Sequence, residues 1–386
     1  MKYRKFGKTG ENVSVLGFGM MRLPMLDGSA GNSYRKGAQA DIQASIDMLR
    51  KAIDSGINYV DTAYNYLSGM SEKITGMALK DGYRQRVYLA TKAPVWLYNE
   101  PDDFDTILDK QLSRLQTGYI DFYMLHGLNK NNWRDKVLKL GLLKKLSDAK
   151  ISGKIKHIGF SFHDSLSVFK EIADYTDIWE FCQIQLNYID TKFQAGIEGL
   201  KYASGKGLGV AVMEPLRGGY LSTLPESVSS IFKSAGISKS PTELALDYLW
   251  DMPEVSVVLS GMSDSAMACE NITFASRSEA GMLSEPDSEL YKKAAAEFEK
   301  ASVIPCTGCN YCNVCPMGIT IPYNFMVYNS YMISGDMDRW KEQYENQVTM
   351  FGAKASECIG CKRCEEMCPQ KIEISCYMPK VHNTFR

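Results

Sequence analysis

Through the first two thirds of the chain, short apolar runs alternate with longer stretches in which apolar residues return every three or four positions. The runs Val15–Gly19, Ile57–Asp61, Val87–Thr91, Ile120–Leu125, Ile155–Phe160, Phe181–Gln185, Leu208–Met213 and Val255–Leu259 predict strands. Between them, segments such as Asp41–Ser55, Ser71–Lys80, Asp103–Leu115, Trp133–Ile151 and Ser240–Trp250 predict helices with one apolar face. The spacing suits crossover helices between parallel strands. Eight such units over about 260 residues predict a closed (β/α)8 TIM barrel, an α/β fold, rather than an open doubly wound sheet. Before the first unit, Lys2–Phe6 and Val13–Val15 flank Gly-Lys-Thr-Gly, a hairpin signal placed to plug the bottom of the barrel.

After about Ser276 the pattern changes. Glu289–Ser302 reads as an alanine- and charge-rich helix, and Tyr323–Ile333 and Asp336–Met350 also read as helices. The chain is therefore expected to divide into a barrel over residues 1–280 and a smaller, mainly helical domain over 281–386.

Composition narrows the setting. The chain has 386 residues, 45% of them hydrophobic, which is ample for a packed core, and a formal net charge of −1. That charge argues against a general binder of nucleic acid or anionic membranes. No apolar stretch approaches the length of a membrane span. The N-terminal residues Met-Lys-Tyr-Arg-Lys-Phe-Gly-Lys carry no apolar signal core. A cytoplasmic protein is expected, with thiols kept reduced.

Eight of the eleven cysteines fall in two compact runs. The first reads Cys306-Thr-Gly-Cys309-Asn-Tyr-Cys312-Asn-Val-Cys315-Pro316, and the second reads Cys358-Ile-Gly-Cys361-Lys-Arg-Cys364-Glu-Glu-Met-Cys368-Pro369. Three thiolates at two-residue intervals let a loop wrap three corners of an iron–sulfur cubane, and the second run matches the bacterial ferredoxin pattern throughout. Zinc knuckles instead pair two short Cys-x-x-Cys turns across a longer gap. Two 4Fe–4S clusters are expected. In two-cluster ferredoxins the fourth cysteine of each run ligates the other cluster. By that rule Cys306, Cys309, Cys312 and Cys368 hold one, and Cys358, Cys361, Cys364 and Cys315 the other, with one cluster per run as the alternative. The stretch between the runs is long and helical, so a helical ferredoxin-like module fits better than a compact βαβ one. Cys182, Cys269 and Cys376 stand outside the pattern and read as buried or inert thiols.

In such barrels chemistry sits at the C-terminal ends of the strands. Those ends carry Asp61 and Tyr66, Lys92, and His126, one of only four histidines. Reducing a carbonyl builds negative charge on its oxygen, which calls for a proton donor and nearby positive charge. A tyrosine is a weak acid, near pKa 10 in peptides, and a lysine ammonium beside it favours the phenolate. An aspartate can hold that lysine charged and oriented, and a histidine can hydrogen-bond the carbonyl.

These segments, Asp61-Thr-Ala-Tyr-Asn-Tyr66, Ala-Thr-Lys92-Ala and Tyr-Met-Leu-His126-Gly, resemble the catalytic tetrad of the aldo-keto reductase family. The resemblance covers roughly residues 1–275, and the whole chain resembles the subfamily with a C-terminal ferredoxin-type extension. It implies Tyr66 as acid/base supported by Lys92, Asp61 and His126, and NAD or NADP bound without a Rossmann fold. Ser161 and Gln183 would meet the nicotinamide carboxamide. Pro215, Leu216 and Arg217 would lie over the pyrophosphate. Ser260, Gly261, Met262, Glu270 and Asn271 would line the adenosine end. Four positions depart from the family pattern: Phe162 replaces a common asparagine, Met213 a stacking aromatic, and Gly261 and Met267 the cations around a 2′-phosphate. Met20, Met21, Met124 and Met213 fall near the barrel mouth, where core filling is the plainer reading.

The expected function is hydride transfer between NAD(P)H and a small-molecule carbonyl or alcohol, with clusters that transfer electrons or hold the C-terminus together. One alternative is a reductase fed single electrons by a ferredoxin or flavoprotein partner without nicotinamide. A non-enzymatic electron-transfer protein is another.

Overall fold

The computed structural model describes residues 1–26, 39–301, 303–348 and 352–386. The chain packs as two units. Ala40–Pro215 and Leu246–Met282, with the N-terminal residues 1–26, form the first; Leu216–Ala245 and Leu283–Arg386 belong to the second.

The first unit opens on the hairpin of β1 (Tyr3–Lys5) and β2 (Asn12–Ser14), antiparallel with Arg4 opposite Val13. Eight parallel strands then close a barrel: β3 (Leu16–Gly19), β4 (Tyr59–Asp61), β5 (Tyr88–Ala93), β6 (Ile120–Leu128), β7 (Ile155–Phe162), β8 (Phe181–Gln185), β9 (Gly209–Met213) and β10 (Val257–Ser260). Neighbours follow chain order, and β10 pairs with β3 to shut the ring. Each of the eight predicted strands overlaps an observed one.

Alternation along the strands sorts their side chains. Tyr59, Ala90, Phe122, Met124, Phe181, Ala211, Val257 and Leu259 form one buried cluster inside the barrel. Intervening residues such as Val60, Leu89, Tyr123, Leu125, Cys182 and Val210 join a separate core with the surrounding helices. Met20 and Met124 are wholly buried, as core-filling residues are.

The hairpin plugs the bottom as expected. Phe6 is fully buried, with ring centroids 4.8 Å from Phe122, 5.5 Å from Phe181 and 5.6 Å from Tyr59. Glycine at 209 makes room for it, since a Cβ there would lie 2.5 Å from the Phe6 ring. Arg4 donates to the carbonyls of Trp250, Met252 and Val255, which binds the hairpin to the end of the helix Pro241–Trp250.

One helix differs from the expectation. Trp133–Ile151 is interrupted: a wide π-type turn spans Trp133–Leu138, Gly141 takes a left-handed φ of 64°, and a regular helix runs only over Leu142–Ile151. A left-handed residue cannot continue a right-handed helix, and glycine is the residue that adopts it at least cost.

The second unit has its own core, in which Phe325, Tyr328, Tyr344, Met378, Val381 and Phe385 pack with several of the cysteines. Glu285–Lys300 starts at a Ser284–Asp287 capping box, and Ile321–Ser334 ends at Gly335. The single helix predicted over Asp336–Met350 is instead Met337–Glu342, capped by Asp336, followed by π-type turns over Gln343–Gln347. Ser302 and Met350, the last predicted residues of two helices, lie outside the described residues. No described helix is long and apolar enough to cross a membrane.

Candidate active site and cysteine centre

Continuing the lumen-facing register two residues past the barrel cluster reaches Asp61 on β4, Lys92 on β5, His126 on β6 and Gln183 on β8. These are the positions where the strands stop packing against one another and begin to line the mouth. Lys92 Nζ donates to Asp61 Oδ2 at 2.6 Å and to the Thr62 carbonyl at 2.8 Å. The ammonium also lies 4.8 Å from the centre of the Tyr66 ring. Tyr66 and His126 meet edge to face at 6.0 Å, and the Trp96 ring stands 5.0 Å from His126. The structure therefore brings Asp61, Tyr66, Lys92 and His126 together.

Burial shapes their charge. Asp61, Lys92 and His126 are at most 3% exposed. Burial raises the Asp61 carboxyl against the pull of Lys92. Burial lowers the Lys92 ammonium, opposed by Asp61 and more weakly by Glu72. For His126, burial first and then Lys92 and His163 hold the imidazole well below its ordinary value, so it is neutral near pH 7. A neutral imidazole offers a hydrogen bond to a carbonyl without competing as a cation.

Tyr66 sits on an unusual turn. Leu67 (φ 49°), Ser68 (φ 54°) and Gly69 (φ 86°) are successively left-handed before the helix Met70–Ala78 begins. Two consecutive non-glycine residues in that region are costly and need support from their surroundings. Part of it comes from Ser71, buried at the helix start, whose hydroxyl donates to the Met20 carbonyl and pairs with Thr62 Oγ1 at 2.7 Å.

Two of the positions expected at a nicotinamide carboxamide are complementary in chemistry. Ser161 Oγ accepts from the Gly127 amide at 2.7 Å, which leaves its O–H to donate. Gln183 Nε2 donates to the Met213 sulfur at 3.4 Å, while Gln183 Oε1 is buried with no partner among the described residues. One donor and one unsatisfied acceptor match the two ends of a carboxamide, so these residues fit the group. Met213, where an aromatic ring was the family norm, is thus tied to the glutamine. At the expected adenosine end, Asn271 is buried and donates to Ser260 Oγ at 3.0 Å, Met262 is buried, and Glu270 is exposed. Pro215 belongs to the barrel unit, whereas Leu216 and Arg217 belong to the second unit. There the Arg217 guanidinium lies 5.8 Å from the Phe298 ring centre, and a Cβ on Gly218 would lie 2.7 Å from Thr307.

Sequence reasoning missed several residues. The aliphatic stem of Arg22 packs against Gly261, so close that a Cβ there would lie 3.2 Å from Arg22 Cδ. A cation thus approaches the Ser260–Asn271 segment from the loop after β3. Glu72, Gln111 and Arg114 also went unnoticed, although a signal existed. Phe104, Leu108, Gln111 and Leu115 form the buried face of the helix Asp103–Leu115, and an amide at a core-facing position asks for a buried partner.

The cysteines of the two runs interleave. One cavity is lined by Cys358, Cys361 and Cys364 together with Cys315 from the first run, within an apolar wall that includes Ile319, Ile321, Ile374 and Met378. Burial raises the Cys364 thiol to about 11, with Cys315 and Cys358 contributing charge repulsion. Cys312 is pushed up by burial first, and then by Cys306, Cys309, Cys368 and Cys364. Thiols crowded so that their negative forms repel suit a cationic iron core, which stabilises all of them as thiolates. Two buried asparagines on Ile321–Ser334 hold the approaches to the runs. Asn329 accepts from the Ile304 amide and donates to the Ile304 carbonyl, both at 2.7 Å. Asn324 accepts from the Ala355 amide at 2.9 Å and donates to the Ala353 carbonyl at 3.3 Å. The three remaining cysteines differ from one another: Cys182 is buried, whereas Cys269 and Cys376 are exposed.

A closed eight-stranded barrel with this cluster of side chains at its mouth defines a class of oxidoreductase, and residues 15–279 match the aldo/keto reductase family. The chain belongs to that family. Residues 305–373 match the 4Fe-4S dicluster domain. The chain is similar to L-galactose dehydrogenase of Arabidopsis thaliana, 29% identical over 75% of this chain and 93% of that protein. It is also 33% identical to aldo-keto reductase YhdN of Bacillus subtilis over 45% of this chain, although that match spans only 51% of YhdN. Among solved structures, the holo form of aldo-keto reductase AKR11C1 from Bacillus halodurans superposes with a TM-score of 0.62 and 26% identity, covering 76% of this chain and 96% of that one. The protein is an aldo-keto reductase-type oxidoreductase with a C-terminal 4Fe-4S dicluster domain.

Proposed function

We propose that the barrel reduces a small-molecule carbonyl, or oxidises the matching alcohol, with Tyr66 as the acid/base. The observation that carries this reading is the buried Lys92–Asp61 pair at 2.6 Å with its ammonium 4.8 Å from the Tyr66 ring centre. Bound NADH or NADPH would supply or accept the hydride. Lys92 favours the phenolate form of Tyr66 and so eases release of its proton to the developing alkoxide. Asp61 keeps Lys92 oriented, and neutral His126 hydrogen-bonds the carbonyl oxygen. Ser161 and Gln183 orient the carboxamide of the cofactor. Met213, Pro215, Leu216, Arg217, Ser260, Gly261, Met262, Glu270 and Asn271 are the further cofactor positions.

In the C-terminal domain, taken as residues 281–386, Cys306, Cys309, Cys312 and Cys368 would hold one 4Fe–4S cluster. Cys358, Cys361, Cys364 and Cys315 would hold the other, and the cavity shared by Cys315 and the second run supports this crossed arrangement. Cys361 is exposed, which favours exchange of single electrons with a ferredoxin or flavoprotein partner, in a reducing compartment such as the cytoplasm.

The test is anaerobic NADH and NADPH titration, with turnover of 4-nitrobenzaldehyde as a generic carbonyl probe. Tyr66→Phe should reduce turnover by about 100-fold or more while leaving cofactor affinity in place. Retained turnover in Tyr66→Phe, or binding of neither cofactor, would sink this reading.

A further inference from the structure

Behind the barrel wall, between β5 and the helices Met70–Ala78 and Asp103–Leu115, lies a buried polar cluster that contributes no atom to the mouth. Glu72 is completely buried. Its Oε2 accepts from Arg114 Nη1 at 3.0 Å. Its Oε1 accepts from Thr91 Oγ1 at 2.9 Å and from Gln111 Nε2 at 2.6 Å. Gln111 Nε2 also reaches the Lys92 carbonyl at 3.1 Å, and Gln111 Oε1 accepts from Tyr123 OH at 2.8 Å.

The other end of the cluster grips the turn that carries Tyr66. Arg114 Nη1 donates to the Tyr64 carbonyl at 3.0 Å, and its guanidinium carbon lies 4.3 Å from the centre of the Tyr64 ring. On the far side of the turn, a Cβ on Gly69 would lie 2.8 Å from Arg114 Nη2. One guanidinium therefore touches both edges of the left-handed segment, before Tyr66 and after it. The carboxylate it pairs with is bonded to the strand bearing Lys92.

We infer that Arg114, Glu72 and Gln111 are positioning residues that fix the distance between Tyr66 and Lys92. Three observations carry this. The cluster joins the turn of Tyr66 to the strand of Lys92, and touches the strand of His126 only through the Tyr123 hydroxyl, three residues from His126. On the Tyr66 side it holds the backbone as well as the Tyr64 ring, through the Tyr64 carbonyl and the close approach to Gly69, which a side-chain role in packing alone would not require. The conformation it braces, with left-handed Leu67 and Ser68, is one the chain would not hold unaided. A fully buried carboxylate with a partly buried guanidinium also costs more to desolvate than an apolar pair of the same volume, so the cluster is better explained by placement than by stability.

The inference rests on the proposed role of Tyr66, and two kinds of measurement keep them separable. Arg114→Met combined with Glu72→Gln removes the tether without stranding a buried charge, since the new amide can still bond Gln111. Amide hydrogen exchange in residues 64–69 should speed about tenfold or more in this double variant, while peptides from β7–β9 stay unchanged. With 4-nitrobenzaldehyde, kcat should fall by about 30- to 100-fold while the nicotinamide Kd stays within about twofold, the signature of misplaced reacting groups. Arg114→Lys should recover much of both, because one ammonium can bond the Tyr64 carbonyl and Glu72 together. Exchange that is unchanged at 64–69, or that rises uniformly across the barrel, overturns the inference. So does an unchanged kcat in the double variant when Tyr66→Phe is inactive. If Tyr66→Phe keeps wild-type turnover, the role of Tyr66 fails instead, and the exchange data alone decide whether the tether exists.

Discussion

The barrel mouth and the cysteine centre solve the same problem, holding reactive side chains in a fixed arrangement, by different means. At the mouth, a sheet does the placing: Asp61, Lys92, His126 and Gln183 follow from strand alternation, and ion pairing refines the result. In the second unit, the described residues contain no strand longer than the isolated bridge between Ile319 and Ala353. Seven of the eight cysteines of the two runs lie on loops and turns, with Cys364 on the one-turn helix Arg363–Glu366, and side-chain amides take over the work of the sheet. Asn324 and Asn329, both fully buried on one helix, grip the backbone shortly before each run. A regular backbone makes placement nearly independent of any one side chain, whereas loops make it depend on a few. The two regions should therefore fail differently when single residues are changed.

The largest effect should come from the mouth. Lys92→Met removes the charge beside Tyr66 and leaves Asp61 buried without its partner. Turnover should fall by about 1,000-fold, the scale of positioned proton-transfer catalysis, with iron and sulfide content unaffected. Loss of iron in this variant would show that the two regions are not independent. Next, Cys315→Ser and Cys361→Ser should each remove the same cluster, lowering iron and sulfide by about half, while Cys368→Ser should remove the other. Distinct EPR signals would report which centre is lost, and matching losses in Cys315→Ser and Cys306→Ser would refute the crossed ligation.

A smaller effect is expected from Asn329→Ala. It removes the partner of the Ile304 amide and leaves the Ile304 carbonyl with the Cys306 amide alone, at a cost of about 1–3 kcal/mol for the buried amide left unsatisfied. Thermal unfolding of the cysteine unit should shift downward and iron should be lost sooner, with carbonyl turnover retained. The smallest effect concerns pH. The His126 pKa is depressed well below 6.5, so below that value the unfolded chain binds a proton that the native barrel does not. His126 therefore costs stability as pH falls, by at most about 1.4 kcal/mol per pH unit. Urea unfolding of the barrel, followed from pH 7 to 5.5, should show a shallower loss in His126→Gln. An identical slope would mean that the imidazole takes up its proton in the folded state.

The sequence carried the barrel well because strand runs such as Phe181–Gln185 and helices such as Asp103–Leu115 are each locally decided. That Asp61, Tyr66, Lys92 and His126 would gather at one mouth was legible for the same reason: each lies at or just beyond a strand end. The cysteine spacing announced iron but left the crossing open, because pairing between distant runs depends on how helices bring them together. Least legible were contacts that skip across the chain without a periodic signature. Arg22 against Gly261 is one, and the Asn329 grip on Ile304 is another. The broken helix at Gly141 was missed because a single glycine inside an apolar pattern is often tolerated. Gln111 was different: its place on an apolar face was visible, and only its partners were not.

The hairpin at the start of the chain has a consequence for time as well as for space. Arg4 meets its carbonyl partners at Met252 and Val255 across separations of 248 and 251 residues, and β3 closes the ring only by pairing with β10. The hairpin is therefore synthesised long before its partners, and waits for nearly the whole barrel to follow before it can meet them. Such distant pairings carry a large loop-closure entropy and slow folding. Sealing of the barrel floor is thus expected to be a late event, after the intermediate βα units have formed.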